Sequence, residues 1–79
     1  MKFRLEITTP YGKYLIKDID FLEVSSTKGM LGILPNHSPL ISDILLGAIK
    51  IRNDGVESFY ATSGGLLKVE NNKVYIKGE

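Results

Sequence analysis

His37, Ser38 and Asp43 fall in one short stretch and are the side-chain types that a nucleophilic triad uses. A triad is assembled across a fold by geometry and not by closeness in sequence, so three such residues in one segment predict a polar turn. Asp18 and Asp20 stand at i and i+2, where they would share one face of a strand and could chelate a hard cation. Calcium sites gather about six or more oxygen donors, and no loop in this sequence collects them; the pair is expected to be solvated surface. Gly29 with Gly32, and Gly64 with Gly65, lack both the spacing and the lysine of a phosphate loop. One histidine and no cysteine cannot supply the nitrogen and sulfur ligands of a structural zinc, and they rule out disulfides. No catalytic, metal or cofactor residues are expected. Tyr11 and Tyr14 lie near Lys13 and Lys17, and Tyr14 and Tyr75 would sit on strands as stacking platforms of the kind nucleic-acid-binding barrels use. The neighbouring Asp18 and Asp20 would repel a phosphate backbone, so packing or edge positions are the expectation for these rings.

Ten Lys and Arg against nine Asp and Glu give a net charge of +1, with the basic residues scattered from Lys2 to Lys77. No basic stripe emerges, which argues against nucleic acid as the partner. Arg4 and Glu6 interrupt the apolar run that a signal peptide needs, and no run approaches the length of a membrane span, so the cytoplasm is the default compartment. A chain of 79 residues forms one domain, residues 1–79. Domains of this size bury only about 60% of their unfolded surface, so a partner often completes their stability.

The elements that must carry these residues read as strands. Turn signals recur at the spacing of an all-β sandwich or barrel. Phe3, Leu5 and Ile7 alternate with Arg4, Glu6 and Thr8, a half-buried strand, and Pro10 and Gly12 mark the turn after it. Strands are predicted at 14–17 and 19–24, and the alternation slips at Phe21 and Leu22, which suggests a bulge or bend there. Two hairpins close the chain. One turns at Asn53, Asp54 and Gly55; the other turns at Asn71 and Asn72, with Leu67, Val69, Val74 and Ile76 on one side. In "LISDILLGAI", Ile41, Ile44, Leu45 and Ala48 would also suit one face of a short helix, although Gly47 and the brevity of the run limit this to a turn or two.

The stretch "GMLGILPNHSPLIS" does not alternate: Met30, Leu31, Ile33 and Leu34 occupy both parities, and the apolar excess resumes in Leu40, Ile41, Ile44, Leu45 and Leu46. With every other segment assigned to strands, no helix remains to cover the second face. Either the stretch crosses a closed end of the sandwich and is buried by neighbouring loops, or another polypeptide completes it. The second reading is preferred, because the prolines flanking "NHS" restrict the turn before any docking event. His37 is expected to be a partly solvated turn residue.

The order T-P-x-G, then "GILPNHSPL" at 32–40 and "SGGLLKVENNKVYI" at 63–76, resembles the N-terminal domain of the epsilon subunit of the rotary, F-type ATP synthase, called delta in mitochondria, over essentially the whole chain. The resemblance implies an all-β, flattened two-sheet β-sandwich of roughly eight to ten short strands. It also implies a non-catalytic central-stalk subunit that binds gamma and the ring of c subunits, coupling ion-driven rotation to ATP synthesis. Such a subunit is peripheral to the membrane, on the cytoplasmic face of the inner membrane in bacteria. Carried over by motif, Pro35, His37, Pro39, Leu40 and Ser42 would face gamma, and Lys28, Gly29, Met30 and Leu31 would touch the c ring. The family usually has an acidic residue where this sequence has Met30, so a salt bridge to the ring is not expected from that position. Family members commonly continue into a C-terminal helical hairpin that can inhibit hydrolysis. This sequence ends at Glu79, and coupling without that arm and without a nucleotide site is the expectation. A free-standing β-barrel module for a ligand or nucleic acid is the alternative.

Overall fold

A computed structural model describes residues 1–78; Glu79, where the sequence ends, lies outside them. The strands are β1 (Phe3–Thr9), β2 (Gly12–Ile19), β3 (Phe21–Ser26), β4 (Gly29–Ile33), β5 (Leu40–Ile44), β6 (Gly47–Asn53), β7 (Val56–Thr62), β8 (Gly65–Glu70) and β9 (Lys73–Gly78). They build two sheets, ordered β2-β1-β9-β8-β5 and β4-β3-β6-β7, and no helix occurs among the described residues. The molecule is a β-sandwich of 30 × 25 × 20 Å, so the flattening is modest.

One parity of most strands fills the space between the sheets. Leu5, Leu22, Val24, Ile33, Leu67, Val74 and Ile76 are buried, with Ile49, Ile51 and Val69 beside them. Two inner faces meeting in this way are what period-2 alternation dictates. Both hairpins form as the sequence requires. Asp54 and Gly55 have φ of 51° and 81°, and Asn71 and Asn72 have φ of 51° and 59°; paired left-handed residues make the turn whose twist matches the flanking strands.

One expectation is refined, since the chain bends at Asp20 as one of its two options foresaw, and one is corrected. The bulge lies before Phe21 and not at it: β1 and β2 shift register where Phe3 faces Ile19 and Leu5 faces Ile16, and Asp18 there has φ of 61°. Phe21 and Leu22 simply alternate, Leu22 into the core and Phe21 outward, after the chain bends at Asp20 from one sheet to the other. The helical option for "LISDILLGAI" also falls, because residues 40–44 pair with β8 as an edge strand from Leu40 opposite Val69 to Ile44 opposite Gly65.

The registers define two ends. The upper end gathers the N-terminus, Asp20, the 34–39 loop and the turns at Asp54 and Asn71. The lower end gathers Pro10 and Tyr11, Thr27 and Lys28, Leu45 and Leu46, and Ser63 and Gly64.

Candidate functional site

β4 and β5 are the edge strands of different sheets, and the 34–39 loop joins them directly. They flank a cleft of about 420 Å³ lined by Lys28, Met30, Leu31, Leu40, Ile41 and Ser42. Leu31 and Leu40 pack against the core from its inner wall. Met30 is 64% exposed and Ile41 74%. Ile41 and Leu66 also line a broad depression of about 510 Å³ on the outer face of the five-stranded sheet, together with Thr8, Lys68, Tyr75 and Lys77. Cleft and depression therefore form one continuous, largely apolar strip around the β5 edge. Below it, Leu46 is 79% exposed beside Leu45. The bland option, that neighbouring loops bury the whole stretch, does not hold for Met30, Ile41 or Leu46.

The nine residues singled out by motif do not form one patch. Lys28, Met30, Leu31, Leu40 and Ser42 share the cleft, so members of both partner sets lie side by side, with Gly29 in the adjoining strand start. Pro35, His37 and Pro39 sit in the loop at the upper end. There, Asn36 has φ of 63° and the His37 N–H donates to the Leu34 carbonyl at 3.3 Å, closing a turn that proline favours at its first central position. His37 Nδ1 lies 2.7 Å from the Ser38 carbonyl oxygen, while Asp43 is occupied with Thr27 at the lower end, so no triad exists. Asn72 Nδ2 donates to Asn36 Oδ1 at 2.9 Å and ties the loop to the β8–β9 turn.

Asp43 binds Thr27 with both carboxylate oxygens. Oδ2 accepts from the backbone N–H and Oδ1 from the hydroxyl, each at 3.0 Å. The N–H bond holds its carboxyl below the usual carboxylate range, with Lys28 adding a smaller charge effect. Asp18 and Asp20 do not share a strand face: Asp18 is in the bulge, and Asp20 lies beyond β2, bonded at 2.7 Å to Lys2 Nζ and also accepting from the Asp54 N–H at 2.7 Å. Lys2 reaches Asp54 as well, at 2.8 Å; its bond to Asp20 and then that to Asp54 raise the lysine pKa, while Lys2 and then the Asp54 N–H lower that of Asp20. Among the described residues, no three His, Cys, Asp or Glu side chains come together as metal ligands. Tyr14 and Tyr75 are also separated, since Tyr14 pairs with core-side Ile7 and Tyr75 with outward Glu6.

Both glycine motifs answer to packing. A Cβ on Gly32 would meet the Phe21 ring at 3.0 Å, and that ring carries Arg52 at 5.1 Å and Lys50 at 5.8 Å from its centroid. At Gly65, a Cβ would collide with the carbonyl oxygen of Lys77. Sequence reasoning missed Leu66, and it left Ile41 and Leu46 out of the site although it noted their apolar excess. The available signal was the adjacent pairs Leu40-Ile41 and Leu66-Leu67, because within a strand one member of each pair must face outward, and the pair Leu45-Leu46 just before Gly47.

The family described as "ATP synthase, Delta/Epsilon chain, beta-sandwich domain" matches residues 2–79. The chain is 41% identical over 73 residues to the ATP synthase epsilon chain of Pelotomaculum thermopropionicum, covering 92% of this chain and 54% of that one. To the ATP synthase epsilon chain of Desulfitobacterium hafniense it is 42% identical over 74 residues, covering 94% and 56%. It thus spans about half the length of the curated relatives it matches. Among solved structures, a chain of the Euglena gracilis mitochondrial ATP synthase, OSCP/F1/c-ring, superposes with a TM-score of 0.88 at 20% identity, over 98% of this chain and 50% of that one. A chain of the Tetrahymena thermophila mitochondrial ATP synthase central stalk and c-ring gives 0.82 at 20% identity, over 99% and 63%. By the match over residues 2–79, this chain belongs to the ATP synthase delta/epsilon-chain β-sandwich family.

Proposed function

We propose that this sandwich serves a non-catalytic, epsilon-type subunit in the central stalk of an F-type ATP synthase, held against gamma and the ring of c subunits so that ion-driven rotation reaches the catalytic head. The family match over residues 2–79 carries this reading. The apolar strip around β4 and β5 supports it physically, since contiguous exposed apolar area on a small domain marks an interaction surface. In this reading Pro35, His37, Pro39, Leu40 and Ser42 face gamma, and Lys28, Gly29, Met30 and Leu31 meet the ring at the lower end. The subunit is then peripheral to the membrane, on the cytoplasmic face in a bacterium.

The nucleic-acid alternative draws no support from the charges. Lys2, Lys13, Lys50, Arg52 and Lys68, half of the ten basic residues, each pair with a carboxylate, and the net charge is only +1, which weakens the field a phosphate backbone would need.

Retention of a purified gamma subunit on the immobilised chain tests the proposal. Leu40→Asp abolishes retention, and because Leu40 packs against the core, Ile41→Asp provides the folded comparison. The expected result is a complex with the parent that survives high salt and is lost in Ile41→Asp without a change in melting temperature. Failure of the parent to bind gamma, or equal binding by the variant, overturns the assignment.

A further inference from the structure

We infer that Asp43 is a positioning residue for the turn presenting Lys28, Gly29 and Met30: from the wall of the same cleft it fastens that turn to β5. The inference rests on the ring-facing role proposed above. β4 and β5 belong to different sheets, so no backbone ladder joins them, and the β3–β4 turn would project from the corner of the sandwich on local bonds alone. Those local bonds come from Ser26, whose hydroxyl donates to the Gly29 carbonyl at 2.8 Å and accepts from the Lys28 N–H at 3.2 Å. They set the shape of the turn but not its angle to the rest of the molecule.

The angle comes from β5. Asp43 stands opposite Leu66, a position whose side chain points away from the core, and from there its two oxygens grip the Thr27 N–H and hydroxyl. Two residues further along, the Leu45 N–H donates to the Ser25 carbonyl at 2.9 Å, a second, backbone tie next to the same turn. Two bonds from one carboxylate to the backbone N–H and the hydroxyl of one residue remove rotational freedom that a single bond would leave. The turn therefore meets a partner with its conformation already set, which lowers the ordering cost of docking.

Two variants separate this role from a merely structural one. Asp43→Ala removes both acceptors. Asp43→Asn keeps one acceptor for the N–H and can donate to the hydroxyl. The measurements are amide exchange at Thr27 and Lys28 in the free chain, the melting temperature, and affinity for a detergent-solubilised c ring. Asp43→Ala is expected to speed exchange at Thr27 about fivefold and to weaken ring binding about fivefold, with exchange in the core strands unchanged. Asp43→Asn is expected to recover most of both. Unchanged Thr27 exchange in Asp43→Ala overturns the clasp. Faster exchange with undiminished ring binding overturns its positioning role. If the parent chain ignores the ring, the ring-facing reading itself fails, while the exchange data still judge the clasp.

Discussion

The upper and lower ends of the sandwich are closed by different physics. At the upper end, Lys2, Asp20 and Asp54 form one charged knot, and the Asn36–Asn72 amide pair bolts the proline loop to a hairpin turn. Exposed apolar residues occur there too, Leu34 at 60% among them, but they sit around a frame of polar ties. At the lower end, Leu45 and Leu46 project beside a turn held by Ser26 and Asp43, and the backbones of β8 and β9 approach so closely at Gly65 that a Cβ there would meet the Lys77 carbonyl. Polar ties cost little to leave in water, whereas projecting leucines gain from being covered. The difference teaches that the end carrying the proline loop is framed by polar ties, while the end carrying the β3–β4 turn presents projecting leucines.

Breaking the backbone contact at the lower end carries the largest expected effect. Gly65→Ala forces a Cβ into the Lys77 carbonyl at a φ of 151° and should lower stability by about 3 kcal/mol, measured by urea unfolding. A loss under about 1 kcal/mol would show that β8 and β9 can shift apart and that this contact is not a fastening. Next, Leu46→Asp should weaken binding to the c ring about tenfold while leaving unfolding stability within about 0.5 kcal/mol, since its side chain is 79% exposed. Destabilisation without a binding defect would make Leu46 a packing residue and blur the contrast between the ends.

At the upper end, Gly55→Ala meets no neighbouring atom but must hold a φ of 81°, so it should cost about 1 kcal/mol by the same unfolding assay. The smallest effect is the acid response of the Lys2–Asp20–Asp54 knot. Asp20 has a lowered pKa because Lys2 and then the Asp54 N–H bind its charged form, so its stabilisation is present above the unfolded carboxylate pKa of about 3.9 and is lost as pH falls through the lower folded value. Lys2 has a raised pKa, so its part is lost only as pH rises through a value above 10.5. Asp20→Asn should flatten the acid limb of a melting-temperature profile and leave neutral binding to gamma intact. An unaltered acid limb would remove the knot from the account.

Much of this was readable in the sequence, and the reasons are specific. Asp54-Gly55 and Asn71-Asn72 announce their turns because few residues accept left-handed backbone, and the alternation of Leu67, Val69, Val74 and Ile76 declares its buried face. That no covering helix occurs among the described residues followed from the same alternation, and with it the exposure of Met30, Ile41 and Leu46. The bulge at Asp18 was hidden because a polar residue leaves no trace in an apolar pattern when its φ turns positive. "LISDILLGAI" kept a helical option because an apolar run at an edge strand, half covered on one side and bare on the other, has no clean period. The site was half legible. Motif placed Lys28 and Leu40 on different partners, yet the sandwich folds them into one cleft, a juxtaposition that depends on which edges the loop connects.

Hydroxyl-radical footprinting of the free chain against the chain bound to gamma and the c ring tests the central claim most directly, because Met, Leu, Ile, Phe and Tyr side chains all report. Met30, Ile41 and Leu46 should become protected on binding, while Phe59, 64% exposed on the far edge strand β7, keeps its free reactivity. Protection of Phe59 with Met30, Ile41 and Leu46 left reactive would contradict the account and move the docking surface to the opposite side of the sandwich.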